Sequence, residues 1–387
     1  MTSDSHTTFG AGRDLFDIPD HVAYFNTASL APTLRAARDA GDAALRRRAQ
    51  PWRIRAADWF DGAEERRALF AGLIGATADD IALVPATSYG LAVAAANLTA
   101  PVGSRVLVLD GEYPSGIYTW WRFAERTGAS LLTVRRDGGR TWTEAVLGAL
   151  DETVAVVSVP QVHWTDGALL ELEPVARAAR AAGAALVVDA SQSAGAMPLD
   201  TRVLRPDFVV SVGYKWLLGP FGLGYLYAAP EHQQGRPLEE NWILRAGSED
   251  FARLVDYRAD YQPGARRFDA GGRTAFELTP MATAALRQLS AWTVPAVAEA
   301  LAAVTALIAA EARERALPTP VPRGPHMLGI TVPEELRGRV VAELAEADVF
   351  VGARGTSIRI SPHLHTTRRD VERLFDVLDG ALARPRG

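Results

Sequence analysis

The chain has 387 residues, 48% of them hydrophobic, a formal net charge of −5 and no cysteine. That length and apolar content allow two domains with cores of their own. The missing cysteine excludes disulfides, thiolate metal sites and a cysteine nucleophile, and interspersed charge excludes the basic face of a nucleic-acid binder. With no leader-like start and no run of about eighteen apolar residues, the expectation is a cytoplasmic protein that meets no membrane. Its partner is expected to be a small molecule, and no pattern points to a metal.

Residues 1–14 are polar and Gly-rich and read as a disordered tail. The apolar run Val22 to Phe25 then leads through small residues into a helix from Thr33 to Ala49, which leaves Asn26 at a strand-to-helix junction. An Asn there serves as a turn or cap residue, or lines a ligand pocket. A helix from Ala56 to Leu73 precedes Ile81-Ala-Leu-Val-Pro and Ala86-Thr-Ser-Tyr-Gly, which reads as strand, hydroxyl-rich turn and helix. Thr87 and Ser88 therefore fall at a helix N-terminus, where they either cap the helix or help hold an anion.

Further apolar runs, Arg105 to Asp110, Thr153 to Pro160 and Ala184 to Asp189, alternate with helical segments. Such alternation means βαβ units and a largely parallel sheet, whose ligands gather at the C-terminal strand ends. Tyr113 and the pair His163-Trp164 follow two such ends. Tyr113 would stack on a flat heterocycle or simply pack, and His163 with Trp164 would contact substrate or form a packed corner. Asp189 ends a strand of Ala, Leu and Val, so it needs a cationic partner or several donors. Gln192 lies one helical turn further on.

Of the 41 Lys plus Arg residues, all but Lys215 are arginine. An amine is required where the group must lose a proton and attack a carbonyl, which a guanidinium cannot do. Lys215 follows the buried run Phe208-Val-Val-Ser-Val-Gly and precedes Gly219-Pro-Phe-Gly-Leu-Gly, so it sits in an interior turn. Beyond it, residues 231–272 form a long polar segment, and loops of that length are usually functional. Two helices follow, and after Pro318–Pro325 come short strands and helices of a compact α+β unit. There Arg359 alternates with Ile358 and Ile360, which points it to solvent or to a cleft.

Asp189-Ala-Ser-Gln192, Tyr214-Lys215 and Gly219-Pro-Phe-Gly-Leu-Gly224 together resemble the class V aminotransferase family over roughly Val22 to Leu382. The resemblance implies α/β architecture of the pyridoxal 5'-phosphate-dependent transferase fold type I. It implies a large domain at 15–280, with a mainly parallel seven-stranded sheet, and a small α+β domain at 281–387 on which residues 15–50 pack. It also implies roles. Lys215 would hold the cofactor covalently, Asp189 would pair with its pyridinium nitrogen, Gln192 would meet its phenolic oxygen and Tyr113 would stack on its ring. Thr87, Ser88, Ser211 and Tyr214 would bind phosphate, with Thr274 reaching in from the partner of a homodimer with shared active sites.

Arg359 would take the carboxylate of an amino-acid substrate; by position, Asn26 and Trp164 are candidate substrate contacts and His163 a candidate acid, with the packed corner as its alternative. Tyr214 before the lysine, and Glu112-Tyr113-Pro114 where desulfurases stack a histidine, resemble the kynureninase, isopenicillin N epimerase and carbon–sulfur lyase side. Without cysteine there is no carrier for persulfide, so desulfurase activity is not expected. The expected reaction is β-elimination on an S-substituted cysteine in specialised metabolism, with Arg266, Arg267 and Arg273 receiving an acidic or bulky conjugate. Transamination, epimerisation and decarboxylation-dependent oxidative deamination remain alternatives. A binding or regulatory protein on the same fold would not need Lys215 and would carry a DNA-binding domain.

Overall fold

The computed structural model describes residues 9–383. Strand β1 (Ala23–Tyr24) and helices α1 (Arg35–Arg48) and α2 (Asp61–Leu73) lead into the large domain. There β2 (Ile81–Val84), α3 (Thr87–Asn97), β3 (Arg105–Leu109), α4 (Pro114–Thr127), β4 (Ser130–Val134), α5 (Trp142–Ala149) and β5 (Val154–Pro160) follow in turn. Helix α6 (Leu172–Ala182), β6 (Ala185–Asp189), α7 (Thr201–Leu204), β7 (Phe208–Val212) and β8 (Gly224–Ala228) complete its sheet. The seven strands run in the order β2-β8-β7-β6-β5-β3-β4, and only β8 is antiparallel to its neighbours.

Strand alternation sends adjacent residues to opposite faces. Leu186 and Val188 join one core with α2 and α6, while Val187 joins another with α3 and α4. Both faces are covered, which is why these strands read as unbroken apolar runs. Helix α3 lies close on its face at Gly90, where a Cβ would come within 2.7 Å of Val210 Cγ1.

Helices α8 (Leu278–Trp292) and α9 (Val294–Glu314) precede the small domain of β9 (Leu328–Thr331), α10 (Glu334–Glu346), β10 (Val349–Phe350), β11 (Gly352–Arg354), β12 (Ser357–Ile360) and α11 (Arg368–Ala383). A domain boundary after residue 280 differs from the packing. Ala285, Leu286 and Leu289 of α8 belong to the large-domain core, whereas Val304 and Ile308 of α9 belong to the small one. The packing changes at Thr293, whose φ of +65° breaks the helix between them. By length and composition α9 could cross a membrane. Its buried face of Val297, Leu301, Val304, Ile308 and Ala312 instead fills protein cores.

The N-terminal segment packs on the small domain, with β1 parallel to β10 and Phe25 bonded through its backbone to Phe350 and Ser361. Of the expected disordered tail, residues 1–8 lie outside the described residues, and the remainder is fixed. The Gly12 amide donates to the Leu364 carbonyl (3.2 Å). Arg13 pairs with Asp370 (3.0 Å) and donates to the carbonyls of Pro19 and Val22. The long segment 231–272 is held in short 3-10 turns at Trp242–Leu244 and Phe251–Arg253. Trp242 and Phe251 pack edge-on with Trp59 and Phe60 of the segment preceding α2.

Candidate active site

The C-terminal ends of β3, β5, β6 and β7 and the N-terminus of α3 meet at one cleft of about 190 Å³. Its walls bring together Thr87, Ser88, Tyr113, Trp164, Asp189, Gln192, Tyr214 and Lys215 from separate stretches of the chain. The Lys215 amine stands 5.6 Å from the centroid of the Tyr113 ring and 5.8 Å from that of Tyr214. Burial drives its pKa down to about 8; Arg359 and Arg354 push the same way and Asp189 opposes them. The amine therefore reaches its nucleophilic form near neutral pH, as a carbonyl-attacking lysine requires.

The Asp189 carboxylate accepts from the Ser191 amide (2.8 Å), and burial raises its pKa against the opposing pull of Ser191 and Lys215. A cationic N–H brought into the cleft would relieve that cost. Ala86 caps α3 without any side-chain bond, so Thr87 and Ser88 are not caps but the first two residues of the helix. Their N–H groups and the helix dipole are available to an anion. Tyr113, 44% exposed, keeps its ring open to the cleft. An acid for a ring nitrogen, an anion site, an aromatic wall and a neutral amine fit pyridoxal 5'-phosphate.

Gln192 lies in the same wall, but its amide already accepts from the Trp216 indole (2.9 Å) and donates to the Ala28 carbonyl (3.1 Å). One N–H is left for a ligand. Trp164 donates its indole N–H to the Gly111 carbonyl (2.8 Å) and stands edge-on to Tyr113 at 5.3 Å.

Other expected residues do not line the cleft. His163 is 4% exposed, bonds through its ring nitrogens to Thr165 Oγ1 (2.7 Å) and the Asp110 carbonyl (3.2 Å), and stacks on Trp142. Burial lowers its pKa. The alternation of β5 continues past its end, so Val162 and Trp164 face the cleft while His163 turns into a packed corner. The corner forms with Trp142 rather than Trp164, which corrects the expected acid. Ser211 is 1% exposed within β7 and donates only to the Val212 carbonyl (3.4 Å), away from the cleft wall. Thr274 is buried and donates to the Trp59 carbonyl (2.9 Å), which commits its hydroxyl inside its own chain.

Arg359 is 1% exposed, which removes the solvent reading. It donates to the carbonyl of Trp164, a residue of the cleft wall (2.7 Å), and to the Ser29 hydroxyl (2.7 Å). Burial, with Arg354 beside it, lowers its pKa to about 9. Asn26 bridges to Ser361, and its buried Oδ1 has no partner. A Cβ at Gly352 would touch that Oδ1 at 3.1 Å and Arg359 Nε at 3.4 Å, so the two groups face a common space. The arginines expected to receive a conjugate are otherwise engaged: Arg266 pairs with Glu64 and Asp79, and Arg273 with Glu64 and Asp269. Arg267 donates to the Gly235 carbonyl and to Gln234.

Of the lining residues that sequence reasoning did not single out, Glu112, Ser191 and Phe221 bear on the chemistry. Glu112 accepts from the Tyr113 amide (2.6 Å), and burial, with Asp189 adding, raises its pKa to about 8. Its signal was its place beside Tyr113 at a strand end. Ser191 bonds Thr87 across their hydroxyls (2.9 Å), tying the Asp189 turn to the helix terminus. Phe221, 70% exposed, leans on Tyr214 at 4.6 Å.

The sequence profile of the family described as Aminotransferase class-V matches residues 53–374. The chain is 29% identical over 309 residues to "Uncharacterized aminotransferase YcbU" of Bacillus subtilis, covering 79% of this chain and 80% of that one. It is 27% identical over 333 residues to isopenicillin N epimerase of Streptomyces clavuligerus, covering 81% and 83%. Among solved structures, the cystine C-S lyase C-DES in complex with its product cysteine persulfide superposes with a TM-score of 0.84. That likeness has 19% identity and covers 93% of this chain and 98% of that one.

Proposed function

The chain belongs to the class V aminotransferase family, and from that premise we propose that it is a lyase releasing the sulfur substituent of an S-substituted cysteine. The family makes it a pyridoxal 5'-phosphate-dependent enzyme acting on amino acids. The finer reading has S-substituted cysteine and water become pyruvate, ammonia and a thiol. Bound in this cleft, the cofactor supplies the electron sink that lets a bond at Cα break heterolytically.

The protein's own residues hold and steer. The N-terminus of α3 binds the phosphate, and Asp189 holds a proton on the ring nitrogen. Tyr113 covers one ring face. Arg359 orients the substrate carboxylate through a fork geometry that lysine could not offer. Lys215 Nζ takes the Cα proton, and its low pKa lets it receive and return that proton near neutrality.

The observation that carries the lyase reading is one amine and no thiol: Lys215 lines the cleft, and no cysteine exists to keep the sulfur on the enzyme. Sulfur then leaves as a free thiol. The fold likeness to a cystine C-S lyase supports the same outcome. Epimerisation is the second reading, favoured by the Streptomyces clavuligerus relative and by Glu112, a second proton carrier in the cleft. The reading includes two copies sharing their sites, supported by uncovered apolar side chains such as Phe221 at the cleft and Trp121 on α4. Mass spectrometry after incubation with S-methyl-L-cysteine decides between the reactions. Pyruvate and methanethiol in equal amounts support elimination, and accumulation of the D-enantiomer without pyruvate would replace it by epimerisation.

A further inference from the structure

We propose that the substrate carries a second acidic group at its far end, and that Arg354, at the rim of the cleft, receives it. The inference rests on the reading above, in which Arg359 takes the substrate's α-carboxylate. Its starting point is the β11–β12 hairpin, where Gly352 pairs with Arg359 and Arg354 with Ser357. In that register Arg354 and Arg359 are diagonal neighbours on one face, at a separation that long side chains span.

Their guanidinium groups meet. The Ser29 hydroxyl accepts from Arg359 Nη2 (2.7 Å) and from Arg354 Nη2 (3.1 Å). Both also engage Trp164, a wall of the cleft. Arg359 donates to its carbonyl (2.7 Å), and the Arg354 guanidinium lies over its ring, 5.8 Å from the centroid. Both bear electrostatically on the Lys215 amine, which places them within range of the reacting end of the site.

Two cations beside one neutral hydroxyl form a costly arrangement. Like charges repel, and burial of Arg359 removes the water that would screen them. Among the described residues, neither guanidinium has a carboxylate within ion-pair distance, and Arg359 Nε has no partner at all. Buried Arg66 also has only neutral acceptors, but it stands apart from the cleft, and three other buried or half-buried arginines are paired with carboxylates. Arg67 and Arg273 share Asp269 and Glu64, and Arg266 takes Glu64 and Asp79. The pair at Ser29 is left for ligand anions to neutralise.

One α-carboxylate satisfies one fork. Arg359, the more buried of the two, is the inner site. Arg354 is half-buried beside the exposed turn Gly355-Thr356 and is the outer one. A group arriving there belongs to the distal end of the substrate. Arg354 forks its donors, so a carboxylate or sulfonate suits it better than a hydroxyl or amide. The substrate class is therefore an S-conjugate of cysteine ending in an acid, including one whose far half is itself an amino acid.

Two probes that differ only in that group test the inference on the holoenzyme: S-carboxymethyl-L-cysteine and S-methyl-L-cysteine, compared by kcat/KM and by the change each produces in the cofactor absorbance. Wild type should favour the acidic probe by roughly 10–100-fold, the range for a hydrogen-bonded ion pair formed in a cleft. In Arg354→Gln the ratio of the two probes should fall towards one, and Arg354→Lys should recover part of it. Equal handling of both probes by wild type, or an unchanged ratio in Arg354→Gln, would overturn the assignment. If neither probe alters the absorbance, the α-carbon reading itself fails and this inference falls with it.

Discussion

Lys215 and Asp189 gain their chemistry from the same cause, removal from water, acting on opposite charges. Burial lowers the lysine to about 8 and raises the aspartate. For an amine with that pKa the neutral fraction grows roughly tenfold per pH unit below it and levels off above. Capture of pyridoxal 5'-phosphate by apoprotein, followed by stopped-flow absorbance, should therefore accelerate from pH 6 to about 8 and then flatten. A rate still climbing towards pH 10 would mean an ordinary solvated lysine. At this scale the sequence was most legible at the single lysine and at Asp189, a carboxylate closing an apolar run just before Ala-Ser-Gln. It was least legible where direction mattered. Nothing in Ser357-Ile-Arg-Ile-Ser says that Asn26 and Ser29 will close over Arg359. His163 and Trp164 are adjacent, yet the turn after β5 sends one into the core and the other to the cleft.

The unit that places the proposed phosphate end of the site is β2, the turn at Pro85-Ala86 and α3. Asp269 fixes it: its Oδ1 accepts from the Leu83 amide (2.7 Å), and both oxygens receive Arg67 (3.0 and 2.7 Å). Arg67 and Asp269 are fully buried, so removing one strands the other. Asp269→Ala should lose about 3–5 kcal/mol in denaturant-induced unfolding, and it should weaken cofactor retention because β2 carries the N-terminus of α3. A loss below about 1 kcal/mol, the level of an exposed pair, would show that the anchor is unimportant. Most strands and helices followed from hydrophobic periodicity, but the edge strand β4 was not read and α2 begins at Asp61 rather than at the expected Ala56. The anchor was invisible, because Arg67 and Asp269 lie 202 positions apart and only the fold brings them together.

Over the whole molecule, the site is built where the large domain, the N-terminal segment and the small domain touch. Lys215, Asp189 and Tyr113 belong to the first, Asn26 and Ser29 to the second, and Arg354 and Arg359 to the third. Behind Lys215, Trp216 packs against His326 and His363, and Phe16 against His363 and His365; all of these side chains are buried. This joint is apolar and aromatic, with its histidines held neutral by burial. Family motifs carried the large-domain half of the site into view from sequence, since they sit on contiguous strand ends. The paired arginines became legible only once the small-domain hairpin was seen against Trp164.

The central claim is that Lys215 carries the cofactor, and the composition makes it unusually direct to test. Among side chains only Lys215 offers a primary amine, so borohydride reduction of the holoenzyme followed by peptide mass mapping has one expected product. The account predicts a pyridoxyl-phosphate mass on the peptide containing Lys215, and loss of the visible cofactor band in Lys215→Ala. Reduced holoenzyme in which that peptide is unmodified, or a Lys215→Ala protein that keeps the band, would contradict it.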